Sequence, residues 1–341
     1  MPADFPLFLA PMAGVTNTVF RRLCKAQGAD VLTTEFVSAE GILHRNERTR
    51  YYLEFEEEEE RPLGVQLFGA DPDRLAEAGR AVIDWVRPDF LDLNFGCPVN
   101  KVVCKNGGSA LLRDCPLLAR VAESVVRAAA PVPVTAKIRI GWDRTTVNAV
   151  TTARILEACG IQRLAVHGRT KEQGYSGEAD WNVIGEVAEA VRMPVIGNGD
   201  ITSVADVLKR RAETRVAGVM IGRTAMAYPW IFSEIRSALT TGQIPPAPSL
   251  DERWKFICAH CAAEIAWRQD ERMAMRSMRA RLMAYTKGLP GGSRLRERLS
   301  HVGSLMELEE LAAGHLAARD HDPEGQEQSV PPSSAQKIIP T

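Results

Sequence analysis

The sequence lacks the features that classify a protein most quickly. Its 42 Lys and Arg are matched by 43 Asp and Glu, leaving a formal charge of −1. No global field therefore announces a nucleic-acid or membrane partner, and any such surface has to be a local patch. No apolar run is long enough to span a bilayer, and the start has neither the basic n-region nor the apolar core of a signal peptide. The seven cysteines, at 24, 97, 104, 115, 159, 258 and 261, are odd in number and show no framework spacing. These absences predict a cytoplasmic, reduced protein with no membrane association. Cys258 and Cys261 form a Cys-x-x-Cys around His260. No further ligand is spaced to complete a zinc site, so no metal is expected and both read as helix-face residues. Nor does a Gly-x-Gly-x-x-Gly follow the first apolar run, which weighs against an open doubly wound sheet.

What the sequence does contain is alternation. Short apolar runs at 7–10, 31–34, 63–68, 90–94, 134–138, 164–166, 194–196 and 218–221 read as buried strands. Between them, segments such as 73–85, 115–129, 147–158, 181–191 and 204–211 carry Ala, Leu, Glu and Arg at helical spacing. This predicts an α/β fold, a closed (β/α)8 TIM barrel over residues 1–241. Gly242-Gln243-Ile244-Pro245-Pro246-Ala247-Pro248 cannot continue a helix, so 242–249 reads as a linker. Beyond it, 251–283 and 295–316 are helical and rich in Arg, Ala and Met, which defines a small C-terminal all-helical domain over 250–318. The polar, Pro/Ser-rich stretch 319–341 reads as a disordered tail. The acidic run 56–60 reads as a solvated loop or helix end with no functional role.

In a barrel the carboxyl ends of all strands face one cavity, whatever their distance in sequence. Collecting them gives Pro11 and Met12 from the first strand and Gln66 from the third. The fourth adds Asn94 and Cys97, the fifth Lys137 and Arg139, and the sixth His167 and Arg169. The seventh adds Asn198, Gly199 and Asp200, and the eighth Gly222 and Arg223. Taken alone, Cys97-Pro98 reads as a loop cysteine beside a turn proline. Lys137 is harder to dismiss, because a lysine inside Val134-Thr135-Ala136-Lys137-Ile138 needs something to offset its desolvation. The glycine turns after strands seven and eight suit a phosphate, and Arg223 adds a fork of donors. A phosphorylated cofactor such as FMN would fit, with Lys137 near the flavin's N1–C2=O edge. A phosphosugar substrate would fit the same anion site.

The motifs in order give more. Over nearly all of residues 5–315 the sequence resembles the dihydrouridine synthases, and within them the DusB-like branch. The resemblance is carried by Ala10-Pro11-Met12-Ala13-Gly14-Val15-Thr16-Asn17, Leu93-Asn94-Phe95-Gly96-Cys97-Pro98 and Asn106-Gly107-Gly108-Ser109-Ala110-Leu111-Leu112. Lys137-Ile138-Arg139-Ile140-Gly141-Trp142, His167-Gly168-Arg169-Thr170 and the two glycine turns complete it. The stretch from His167 to Tyr175 is similar to the DusC branch too, whereas Tyr285-Thr286-Lys287-Gly288-Leu289-Pro290-Gly291 looks more like DusB.

The resemblance implies a flavin enzyme that uses FMN, and NADPH as reductant, to reduce the C5=C6 bond of particular uridines in tRNA to 5,6-dihydrouridine. FMN would be held by Pro11, Met12, Ala13, Gln66, Lys137, His167, Asn198, Gly199, Asp200, Gly222 and Arg223. Hydride would pass from flavin N5 to uracil C6, and Cys97 would donate the proton to C5. Asn94, Lys137 and Arg139 would orient the uracil, with Arg169 on the substrate and Lys101 beside the nucleotide's path. The base has to be extruded from folded RNA. Arg272, Arg276, Arg279 and Lys287, within a basic stretch that also holds Arg281, Arg294, Arg296 and Arg298, would grip its phosphates. A monomer is expected, although nothing in the sequence reads quaternary state. Three other readings compete: an FMN barrel acting on a free pyrimidine, like dihydroorotate dehydrogenase; a flavin-bearing RNA-binding protein without turnover; and an aldolase-type barrel with Lys137 as a Schiff-base lysine.

Overall fold

The computed structural model describes residues 4–104, 106–289 and 291–320, so most of the expected tail lies outside the described residues. The chain divides into two compact units, Met1–Gly222 and Arg223–Thr341. Residues 223–241, grouped with the barrel on sequence grounds, fall in the second.

The first unit is built on nine strands: β1 (Leu7–Leu9), β2 (Leu32–Thr33), β3 (Val37–Ser38), β4 (Leu63–Phe68), β5 (Phe90–Phe95), β6 (Val134–Arg139), β7 (Leu164–His167), β8 (Val195–Asn198) and β9 (Gly218–Ile221). All pair in parallel, in the order β1-β9-β8-β7-β6-β5-β4-β2. A Phe8–Val31 bridge and the Leu9 N–H on the Val31 carbonyl at 3.1 Å complete the ring, which is the TIM barrel that the alternation predicts. Four of the helices between strands start where a side chain accepts their first free N–H groups. Asp71 caps Pro72–Val86, Asp114 caps Cys115–Ala129, Asp180 caps Trp181–Ala190 and Ser203 caps Val204–Glu213. Each turns an apolar stripe inward, such as Leu75, Ala78 and Val82, and each such buried Leu or Val stabilises by about 1.5–3 kcal/mol.

Two expectations change. The second strand is only two residues long, because the Thr34 hydroxyl, in place of a continued ladder, accepts the Gln66 backbone N–H at 3.2 Å. The chain then returns to the sheet in β3, which pairs with the end of β4 and was not foreseen. The acidic run is also not uniformly solvated. Its last member, Glu60, is fully buried and binds Arg21 and Thr18 from the helix Thr18–Ala26.

The second unit contains the helices Arg223–Ala227, Ile231–Thr241, Leu250–Arg268, Glu271–Tyr285, Gly292–Leu299 and Leu305–Asp320. The run expected over 251–283 breaks at Gln269, which takes a left-handed φ of +56°, and Asp270 then caps the next helix through Met273 N. The unit has its own core of Trp254, Ile257, Cys261, Met275, Met278, Leu282, Leu299 and Leu308. Cys258 and Cys261 both lie within Leu250–Arg268, Cys261 buried in that core. Among the described residues, no helix is long and apolar enough to cross a membrane.

Candidate active site

Side chains alternate between the two faces of a strand, so every second residue of a barrel strand points into the barrel. On β5 the apolar Leu91, Leu93 and Phe95 take one face, while Asp92 and Asn94 take the other. The registers set Gln66 beside Asp92, Asp92 beside Thr135, Asn94 beside Lys137, Arg139 beside His167 and His167 beside Asn198. Phe8, Ala10, Ala165, Ile196 and Met220 form an apolar cluster of their own, with the half-exposed Met12 packed against it. The barrel strands thus carry a polar set, largely on β4 to β7, and an apolar set drawn from β1 and β7 to β9.

Cys97 sits in the loop after β5, only 7% exposed and clamped on both sides. Upstream, Asn94 Oδ1 accepts the N–H groups of Gly96 at 3.1 Å and Cys97 at 2.8 Å. Downstream, the Cys97 carbonyl accepts the Ser109 hydroxyl at 2.8 Å and its N–H at 3.2 Å. Gly108, with φ of +57°, packs so close that a Cβ there would lie 2.9 Å from the Cys97 carbonyl oxygen and 3.1 Å from its Cβ. The Gly107-Gly108-Ser109 motif is therefore part of the thiol's mounting. Burial pushes the Cys97 thiol above its ordinary pKa, while the Val99 backbone and the charges of Arg139 and Lys137 pull it back. The thiol is protonated at neutral pH.

Lys137 keeps part of its surface open, yet the surrounding protein desolvates it enough to lower its pKa to about 8, with Arg139 adding to the effect. Its Nζ donates to Asn198 Oδ1 at 3.0 Å, and Asn198 Nδ2 donates in turn to the Met220 carbonyl. Among the described residues no carboxylate comes within ion-pair distance of Nζ. Asp92 acts on it only as a more distant charge. A cation left like this suits an electron-rich partner in the cavity. The polar edge of a flavin ring would be such a partner, with the amides of Gln66 and Asn198 and the ring of His167 as further hydrogen-bonding groups and Met12 as apolar contact.

Other expected residues are engaged within the protein. Arg139 donates to the backbone carbonyls of Gly96, Thr170 and Gly174, and its guanidinium lies 5.7 Å from the Tyr175 ring. Arg169 is buried and its Nη2 donates to both carboxylate oxygens of Asp200, at 2.8 and 2.9 Å, besides bonds to the carbonyls of Ser176 and Gly177. Asp200 also accepts from Ala179 N. This pair ties the loop after β7 to the turn after β8. Gly199 allows that turn, because at φ +125° a Cβ would come within 2.6 Å of Ala179 Cβ. Gly222 approaches Ala10 and Met12, and Arg223 opens the helix Arg223–Ala227. Lys101 lies in the short helix Asn100–Val103, and its side chain is outside the described residues.

Sequence reasoning missed three groups. It collected nothing from the second strand, where Thr34 supports Gln66 and the buried Glu35 accepts the Gly14 N–H at 2.6 Å. It also passed over Asp92, which reads as a polar interruption of an apolar strand, a signal of the kind that drew attention to Lys137. In the second unit, Arg272, Arg276, Arg294, Arg298 and Lys287 are exposed and Arg279 is half-buried. Arg281, from the same basic stretch, is 4% exposed and binds Glu264 beside His260. It is a core residue of its unit.

A parallel barrel that sets a mounted, protonated thiol and a desolvated lysine among buried amides defines an enzyme of the barrel class. The particular family follows from comparison: the dihydrouridine synthase (Dus) family model matches residues 8–319, and the chain belongs to this family. It is 43% identical over 294 residues to tRNA-dihydrouridine synthase B of Pseudomonas putida, covering 86% of each chain. It is 42% identical over 296 residues to the Pseudomonas aeruginosa protein of the same name, covering 87% of this chain and 88% of that one. A probable tRNA-dihydrouridine synthase of Rickettsia conorii is 37% identical over 307 residues, covering 90% and 92%.

Proposed function

We propose that this chain is a cytoplasmic, FMN-dependent enzyme that uses NADPH to reduce particular uridines of tRNA to 5,6-dihydrouridine. The observation that carries the proposal is Lys137, a desolvated cation with no carboxylate within ion-pair distance among the described residues, in the same barrel as the mounted thiol of Cys97. When bound, FMN supplies the hydride that reaches uracil C6, after NADPH has recharged it.

The remaining work falls to the chain. Lys137, with Gln66, His167 and Asn198, would hold the cofactor's polar ring edge, where the Lys137 charge would stabilise negative charge. Cys97 holds a proton on Sγ and releases it to uracil C5, the role of a general acid. A raised pKa suits that role, whereas a nucleophilic cysteine requires a lowered one. Arg139 holds Gly96 against the loop after β7 and so helps to seat the thiol. Asn94 serves the same loop and offers an N–H to the base. The exposed arginines of Glu271–Tyr285 and Gly292–Leu299 take the phosphates of the RNA.

Cys97→Ala tests the assignment. The purified variant should keep its flavin absorption and its reduction by NADPH, and lose about 10²- to 10⁴-fold in dihydrouridine formed in tRNA. Conversion at the parental rate would show that the proton comes from elsewhere.

A further inference from the structure

Beneath Cys97, three side chains of the barrel interior are joined end to end. Asp92 is buried on β5, its Oδ2 accepting from Gln66 Nε2 at 2.6 Å and its Oδ1 from the Thr135 hydroxyl at 2.5 Å. Gln66 Oε1 accepts from Asn94 Nδ2 at 2.7 Å, and Asn94 Oδ1 accepts the Gly96 and Cys97 N–H groups. Either amide in this chain can be turned end for end, so its direction has to be imposed from outside. Both ends impose the same one. Burial pushes the Asp92 carboxyl above its ordinary range, while the bonds from Gln66 and Thr135 and the charges of Arg163 and Lys137 pull it back. As a carboxylate it only accepts, and a backbone N–H only donates, so a single order satisfies every link. Reversing Asn94 would set donor against donor at the Cys97 loop, and reversing Gln66 would set acceptor against acceptor at Asp92; either leaves buried groups unpaired.

We propose that Asp92 is a positioning residue for Cys97, its carboxylate fixing through Gln66 and Asn94 the direction of a hydrogen-bond chain that holds the Gly96–Cys97 backbone. The order has a second consequence. Both lone pairs of Asn94 Oδ1 are spent on the loop, so any further partner of Asn94 has to be an acceptor. A carbonyl oxygen of the base meets that demand and a base N–H does not. The catalytic meaning of this inference rests on the role proposed for Cys97, but the geometry of the loop does not.

Thr135 makes the idea testable. Its hydroxyl also lies 3.3 Å from the Leu91 carbonyl. In Asp92→Asn it can turn its hydrogen there and accept from the new amide, whose oxygen still takes the Gln66 N–H. In Thr135→Val alone, the carboxylate still takes that N–H. The combined change Asp92→Asn with Thr135→Val leaves only the Cys97-loop end to set the order and the new amide's N–H buried without an acceptor, and Asp92→Leu removes the anchor altogether.

The readout is iodoacetamide alkylation of Cys97 in the purified full-length chain, followed on its peptide by mass spectrometry, with hydrogen exchange across 95–97 alongside. Each single change of the first two should leave the Cys97 rate within about twofold. The double variant and Asp92→Leu should raise it about tenfold and speed exchange, while the exposed Cys104 reacts as in the parent. Parental Cys97 reactivity in a folded double variant would overturn the proposal, and so would equal rates in Asp92→Asn and the double variant. If Asp92→Leu does not fold, the three milder variants decide the matter. A parent chain that forms no dihydrouridine would remove the proposed role of Cys97 without moving either readout.

Discussion

The charge on Lys137 is the property of the site most exposed to pH. Burial lowers its pKa to about 8, so the lysine is mostly charged at pH 7 and loses its charge as pH rises through 8. Turnover that depends on that charge should fall on an alkaline limb centred near pH 8. Cys97 is shifted in the opposite direction, so its proton outlasts that limb. A rate profile for dihydrouridine formation that stays flat through pH 9 would contradict this. Linkage gives the stability side. The unfolded chain holds the lysine proton up to about 10.5 and the folded chain only to about 8. The folded state is therefore penalised below pH 8, by up to about 3 kcal/mol, and relieved as pH rises from 8 to 10.5. Lys137→Met should consequently lose turnover and yet resist denaturant better than the parent at pH 7. A structural lysine would give the reverse.

At the scale of elements, strand and helix positions were largely legible because burial imposes its own periodicity. The runs at 63–68 and 218–221 are the observed β4 and β9 residue for residue. The second strand was less legible, because Thr34 and Glu35 make their contacts through side chains and no apolar pattern marks where the ladder stops. Glu60 was illegible for a related reason: one glutamate in a run of five resembles the rest until a helix brings Arg21 against it. The two roles should separate on mutation. Glu60→Ala leaves a buried guanidinium unpaired and should cost about 3–5 kcal/mol in chemical denaturation. Glu58→Ala, at an exposed position, should stay within about 0.5 kcal/mol. Equal effects would mean that the acidic run acts as a unit.

At the scale of the whole molecule, a charge of −1 conceals a local asymmetry. Arg272 and Arg276 lie one turn apart on Glu271–Tyr285, both exposed and without an ion-pair partner among the described residues. Arg281, on the same helix, is instead committed to Glu264. Reversing both exposed charges, Arg272→Glu with Arg276→Glu, should weaken tRNA binding at low salt by tenfold or more. It should also flatten the slope of log Kd against log salt by about 1–2. Filter binding across a salt series would measure both, and an unchanged slope would place the RNA elsewhere.

By itself the sequence determined the barrel, through eight apolar runs at alternating spacing, and which residues stand at the strand ends, because strand ends converge in any barrel. It singled out Lys137 from its neighbours alone, and Cys97 only once the motifs around it were read together. Only the tertiary structure decided how the polar groups are spent, since hydrogen bonds between strands depend on register and not on nearness in the chain. Arg169 turns to Asp200, Arg281 to Glu264 and Glu60 to Arg21, each a pairing across many residues. Asp92, which no motif distinguishes, reaches Cys97 through two amides because parallel strands set Gln66, Asp92 and Asn94 side by side.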